Sequence, residues 1–340
     1  MKTENKSVII WLLSGCFLLF LMVTVGGITR LTNSGLSMTD WHLITDTFPP
    51  LTEAKWNAAF EEYKKFPEYQ KINIHNDFQL SDYKFIYFWE WFHRFIGRII
   101  GLVFIVPFIY FLFKKKLDSS TVKKCIVLLG MGGFQGFLGW FMVRSGLIDN
   151  PDVSHFRLAI HLTFAFITFA YTLWVALDLI YPEKKKTEKS LRTIAQYALL
   201  VLLLQIIYGG FVAGLNAGLI HNHWPLMSDG QFIHDSVFLE QKNWFLSFTE
   251  GKSGVQFIHR TLGYFVVAMI GLLYFKSKKF QLEQTQKKGI NLLVLLVFVQ
   301  FALGVFTLLY SVPLWLGLTH QINAFFLLTA MTFTLHRLSK

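Results

Sequence analysis

The chain has 340 residues, of which 53% are hydrophobic and only 16% are charged. About a quarter of the residues of a soluble domain are charged, so this composition excludes an ordinary soluble protein. A net charge of +11 would suit a nucleic-acid partner. However, the basic residues lie in short blocks between apolar segments, and we therefore expect no nucleic acid.

Apolar runs of about 20 residues, the length that crosses a bilayer, recur along the chain. The predicted spans are 8–28, 93–113, 124–143, 157–180, 194–214, 255–275, 289–310 and 314–335. The first run is too long for a signal peptide and lacks a small-residue cleavage site, so we expect a retained helix. The predicted fold is therefore all-α, a polytopic membrane protein with eight transmembrane helices.

Basic residues concentrate in every second predicted loop, at residues 114–124, 184–192 and 276–288. This distribution follows the positive-inside rule, and with eight spans it predicts that both termini are cytoplasmic. Because no Arg- and Ser-rich transit sequence precedes the first span, we expect a bacterial inner membrane rather than an organelle.

Motifs of the first half recur in the second half in the same order. The matched segments are GGITRLTNSGL at 26–36 with GGFVAGLNAGL at 209–219, HRFIG at 93–97 with HRTLG at 259–263, and QGFLG at 135–139 with QFALG at 300–304. We interpret the chain as two parallel, pseudo-symmetric four-helix bundles, residues 1–181 and 194–340. Residues 182–193 form the cytoplasmic linker between them.

Four histidines lie in the predicted spans: His93, His161, His259 and His320. In each half, one histidine opens the second helix and one opens the fourth, so each pair is expected at one depth near the outer face. Two histidines that face inward from different helices are the usual axial ligands of haem. Interfacial, hydrogen-bonded histidines are the alternative, but two matched pairs favour ligands.

The halves differ three residues before the first histidine of each pair, where Glu90 stands in one half and Gln256 in the other. Residues three apart share a helix face, so only the first half directs a carboxylate at its site. That group would act as an acid or base or would stabilise a cation. The alternative is a glutamate favoured by the helix dipole. Arg94 and Arg260 are candidate partners for haem propionates.

These features resemble the haem A synthase family. The resemblance covers nearly the whole chain and rests on GGITRLTNSGLSMTDW at 26–41, PPLTEAKWNAAFEEYKKFPEY at 49–69, EWFHR at 90–94, and the four histidines. It implies a membrane oxidoreductase that converts a methyl group of haem O to the formyl group of haem A.

The resemblance also implies a role for each candidate residue. His259 and His320 would be the axial ligands of a resident haem b, His93 and His161 would bind the substrate haem, and Glu90 would be the catalytic group. All four histidines would thus meet iron through haem. The implied reaction is two successive hydroxylations with oxygen from water, followed by dehydration.

Some family members carry a cysteine pair in the first outside loop. This chain resembles the cysteine-free branch, of the proteobacterial and mitochondrial type, because Cys16 and Cys125 fall in or beside predicted spans. We therefore predict no disulfide. The implied partners are haem O synthase, an unidentified electron acceptor and membrane lipid, with a possible homo-oligomer.

The main alternative is a di-haem b electron-transfer protein linked to quinol. Haem sites that both lie toward the outer face argue against a wire across the membrane, and the asymmetric Glu90 favours a substrate half. A transporter or a structural assembly factor is a third alternative, but it would need no histidine pairs.

Overall fold

The computed structural model describes residues 6–39, 47–147, 151–183 and 188–338, and the regular structure in these residues is helical throughout. The helices are α1 (Lys6–Leu31), α2 (Glu53–Tyr63), α3 (Pro67–Lys71), α4 (Leu80–Phe113), α5 (Ser119–Arg144), α6 (His155–Ile180), α7 (Lys189–Gly214), α8 (Ser236–Leu239), α9 (Trp244–Thr249), α10 (Lys252–Ser277), α11 (Gln284–Leu309) and α12 (Leu314–Leu338). All except α2, α3, α8 and α9 are long and apolar enough to cross a membrane. The prediction of an all-α protein with eight transmembrane helices is confirmed.

Helix α4 begins at Leu80, well before the predicted span start at residue 93. Gln79 and Asp82 form a capping box there, in which the Gln79 backbone N–H donates to the Asp82 carboxylate over 2.8 Å. Such a box satisfies the free N–H groups of a first turn and fixes where a helix starts. The prediction that His93 opens its helix was therefore wrong, because polar and aromatic turns precede the apolar run.

Helices α1, α6, α7 and α12 occupy the centre of the fold. Helix α6 packs on both α1 and α7, and so does α12, whereas α4, α5, α10 and α11 flank this group. The largest apolar core crosses the predicted boundary between halves, and the rings of Phe169 and Phe325 lie 4.0 Å apart within it. The two halves thus share one interior, and the division into two bundles stays a prediction.

Arg30 joins the C-terminal ends of α1 and α7. Its guanidinium donates to the Ala213 carbonyl over 2.7 Å, to the Asn216 side chain over 3.0 Å and to the Asn33 side chain over 3.1 Å. Asn33 and Asn216 occupy the same place in the repeated motif and both have left-handed backbone angles, with φ of 49° and 53°. Asparagine tolerates this conformation, which ends each helix and leaves its side chain available to the arginine.

The segment between α1 and α4, which is the predicted first outside loop, packs on the first turns of α4. Phe60 and Tyr63 from α2 lie against Tyr83 and Tyr87, and the rings of Tyr63 and Tyr83 stack at 5.0 Å. This aromatic cluster fixes the loop over the N-terminal end of α4, the helix that carries Glu90. Residues 40–41 at the end of the first motif and residues 184–187 of the predicted linker lie outside the described residues.

Candidate functional site

Each of the four span histidines lies against a glycine of a neighbouring helix. The pairs are Gly26 with His93, Gly139 with His161, Gly209 with His259, and Gly304 with His320. A Cβ atom placed on any of these glycines would come within 3.0 to 3.3 Å of the imidazole ring. Such distances are too short for ordinary packing, so a side chain at these positions would displace the ring. The repeated sequence motifs therefore pair each histidine with its contact glycine.

Glutamine amides lie beside three of the four rings. Gln135 donates to His161 Nδ1 over 3.1 Å and to its carbonyl over 3.0 Å, and Gln300 lies 3.3 Å from both ring nitrogens of His320. The Gln205 amide nitrogen lies 3.4 Å from His259 Nε2. The first two glutamines begin the QGFLG and QFALG motifs. These motifs indicated the internal repeat, but their glutamines were not predicted to be site residues.

Glu90 is buried, with only 3% of its surface exposed, and three donors hold its carboxylate. The Ser37 hydroxyl donates over 2.7 Å and the Met38 backbone N–H over 2.8 Å, both to Oε2. Arg94 donates to Oε1 over 2.6 Å, which makes an ion pair one helical turn along α4. The carboxylate is thus fixed between α4 and the segment that follows α1.

The equivalent position in the second half reverses the direction of hydrogen bonding. The Gln256 amide donates to the carbonyls of Ala217, over 2.8 Å, and Ile220, over 2.5 Å. Glutamine is buried here and carries no charge. Both side chains therefore attach their helix to the segment that follows α1 or α7, but only the first half has an anion in this place.

The two arginines bind outside-loop carbonyls. Arg94 donates to the Met38 carbonyl over 3.2 Å, and Arg260 donates to the carbonyls of His221, over 2.5 Å, and Leu226, over 3.3 Å. A cavity of about 210 Å³ lies next to Arg94 and is also lined by Arg144 and Trp140. Two cations beside a cavity can bind a carboxylate. The assignment of Arg94 and Arg260 to haem propionates stays a prediction, and the cavity beside Arg94 offers space for one propionate.

The family and the relatives of this chain bear on the function of the site. The model of the COX15-CtaA family, described as cytochrome oxidase assembly protein, matches residues 9–332. The chain belongs to this family. The family resemblance predicted from the motifs is therefore confirmed, and it extends across all eight transmembrane helices.

Several full-length relatives carry the name "Heme A synthase". The protein of Flavobacterium johnsoniae is 81% identical and that of Flavobacterium psychrophilum is 76% identical, with at least 99% of each chain covered. The protein of Nitrosospira multiformis is 40% identical, with 99% of this chain and 94% of the relative covered. None of these relatives carries a name that supports the electron-transfer alternative.

The histidines of this COX15-CtaA chain lie beside buried polar atoms that have no hydrogen-bond partner among the described residues. His259 Nδ1, Gln205 Oε1 and Gln135 Oε1 are such atoms. Buried polar atoms normally have partners, and an imidazole that binds iron donates its other N–H to a neighbouring oxygen. The described residues contain no group of three His, Cys, Asp or Glu side chains that could hold a bare ion. One or two histidines suffice for haem, so the residues fit that group.

The segment between α7 and α10 of this COX15-CtaA chain carries a polar network that the sequence did not indicate. His221 contacts the hydroxyls of Ser228, at 2.8 Å, and Ser253, at 3.0 Å, through its two ring nitrogens. Burial lowers the pKa of His221, and the nearby His234 and Arg260 lower it further. His221 thus ties the loop to the start of α10.

Proposed function

We propose that this chain is a haem A synthase, an oxidoreductase that converts a methyl group of haem O to the formyl group of haem A. One observation carries the proposal beyond the names of the relatives. Both halves hold histidines against glycines in the same way, but only the first half sets a buried carboxylate, Glu90, three residues before its histidine. This is the arrangement expected of one substrate site and one cofactor site.

In this proposal His259 and His320 would hold haem b, and His93 and His161 would hold the substrate haem. Haem b supplies electron transfer when it is bound. The protein orients both groups, because the glycine beside each ring leaves room for the imidazole and fixes its position. Apolar span residues exclude water from the rest of each site, which strengthens the electrostatic interactions within it.

Glu90 acts on the substrate methyl group. Two hydroxylations add two water oxygens to this group, and the dehydration removes one of them as water. The conversion of methyl to formyl therefore consumes one water in total and releases four protons and four electrons, and the electrons pass to the electron acceptor. A fixed anion stabilises positive charge that develops at the carbon and accepts a proton from the attacking water. The three donors to Glu90 hold it in one geometry, so no reorganisation is needed during the reaction.

The experiment is expression in a bacterium that makes haem O but lacks its own haem A synthase. We expect haem b together with haem O or haem A in the extracted pigment of the purified protein. Glu90→Gln should retain haem b and protein level but lose haem A, whereas the exposed control Glu61→Gln should match the unmodified chain. Haem A at full level in Glu90→Gln would exclude the proposed role of Glu90, and haem b alone at two per chain would support the electron carrier.

The cellular setting belongs to the same proposal. We place the chain in a bacterial inner membrane with both termini in the cytoplasm and both haem sites toward the outer face. The alternation of basic loops supports this orientation. Haem O synthase would supply the substrate through the lipid phase, and an unidentified acceptor would take the electrons. A homo-oligomer would leave this chemistry unchanged.

A further inference from the structure

One of the four histidines differs from the others in its hydrogen bonding. His161, His259 and His320 each have a glutamine amide within 3.4 Å of the ring. The ring of His93 has no such partner among the described residues. His161 and His320 therefore have equivalent glutamine partners in the two halves, whereas His259 has a glutamine that its counterpart His93 lacks.

Met22 occupies the place that a glutamine takes in the second half. It stands four residues before Gly26, as Gln205 stands four residues before Gly209. The spatial surroundings agree with this alignment. The Met22 methyl group lies 3.5 Å from a Cβ atom placed on Gly97, and the Gln205 amide lies 3.6 Å from one placed on Gly263. These last two glycines each follow the histidine of their half by four residues, that is, by one helical turn.

The exchange of glutamine for methionine alters what the histidine can do as a ligand. An imidazole that donates its second N–H to an oxygen is held in one tautomer and orientation and binds metal more strongly. The Gln205 amide nitrogen lies 3.4 Å from His259 Nε2, and its Oε1 atom is buried without a hydrogen-bond partner among the described residues. A half-turn of the amide group would bring Oε1 to the ring, where it can accept an imidazole N–H. A thioether is only a weak acceptor, so Met22 leaves the imidazole of His93 without that support.

We propose that Met22 makes His93 the exchangeable ligand of the first half, whereas Gln205 makes His259 a permanent ligand of the second. This inference rests on the proposed function. A substrate haem must enter and a product haem must leave, so one of the histidines that bind this haem has to dissociate from the iron. A resident haem gains from two oriented ligands. His161, which Gln135 orients, is the retained ligand of the substrate site.

The test measures haem release directly, without turnover. Purified protein in detergent is mixed with excess apomyoglobin, and transfer of haem from each half is followed by absorbance. Met22→Gln should slow release from the first half by about tenfold or more, which is the usual effect of an outer hydrogen bond on a metal ligand. Gln205→Met should speed release of haem b by a similar factor.

Two variants control for the change of side chain itself. Met22→Leu keeps an apolar side chain and should release haem at the unmodified rate. Met269→Gln places an amide in α10 more than two turns from His259 and should also leave both rates unchanged. If Met22→Gln does not fold, Gln205→Met and Met22→Leu still carry the test.

The outcomes separate this inference from the proposed function. Unchanged release in both Met22→Gln and Gln205→Met would overturn the inference even if haem A is made. Release rates that shift as expected in a protein that never makes haem A would support the ligand assignment and refute the enzyme. A purified chain without any haem would overturn both.

Discussion

The hydroxyl of Ser37 donates a 2.7 Å hydrogen bond to the carboxylate of Glu90, and the two residues come from different parts of the fold. Ser37 lies in the segment that follows α1, whereas Glu90 lies in α4. The serine is fully buried, so its hydroxyl has no competing water. The position of the proposed catalytic group therefore depends on a loop residue distant in sequence.

We predict that Ser37→Ala lowers haem A formation while haem b binding is retained. Removal of a hydroxyl that donates to a charged group costs about 1.5–3 kcal/mol, so the carboxylate should lose its fixed orientation. The measurement is the ratio of haem A to haem O in extracted pigment. Ser14→Ala is the matched control, since its hydroxyl bonds only to the Trp11 carbonyl within α1. Equal ratios in both variants would contradict a positioning role.

Gly209→Ala should weaken haem b binding. The added methyl group would lie 3.3 Å from Cε1 of His259 and push the ring from its place. Overpacking of this kind costs about 1–3 kcal/mol, which corresponds to about one to two orders of magnitude in affinity. Haem b per chain, from the pyridine haemochrome spectrum, is the measurement. Gly271→Ala in α10 is the control, because nothing lies within 4 Å of its added atom, and a similar loss there would show that alanine in a span is disruptive by itself.

The first outside loop should become less stable as the pH rises. Burial raises the pKa of Glu68 to about 7, partly offset by the hydrogen bond from the Tyr63 hydroxyl and reinforced by the charge of Glu90. Because the folded loop holds a proton that the unfolded loop releases near pH 4.5, loop stability falls between about pH 4.5 and 7 and stays low above that range.

Hydrogen exchange of residues 53–75 at pH 5 and pH 8 measures this effect. We expect faster exchange at pH 8 than the intrinsic pH dependence accounts for in the unmodified chain, and a smaller difference in Glu68→Gln, whose amide carbonyl still accepts from Tyr63. The exposed control Glu61→Gln should keep the unmodified profile. Identical profiles in all three proteins would show that Glu68 does not titrate with the loop.

The lengths of the apolar runs predicted the eight transmembrane helices. The repeats identified the four histidines as candidate site residues. Neither feature predicted the start of α4, because its capping box and aromatic turns are too polar to register as a span. The glutamines beside the histidines were visible in the repeated motifs, but only the packing of neighbouring helices showed what they touch. The donors to Glu90 were hidden for a similar reason, since Ser37 reaches it through the tertiary fold.

The common interior of the two halves constrains how they can diverge. Each half supplies part of the other's apolar seam, where Phe169 meets Phe325. Substitutions along that seam must be compensated on both sides. Helix α10, which carries His259, adds Val266, Ile270 and Leu273 to this core, whereas the described residues of α4, which carries His93, contribute none. A change on α4, such as Glu90 where the second half has Gln256, therefore leaves the residues of the shared core in place, and one binding site can specialise without loosening the other.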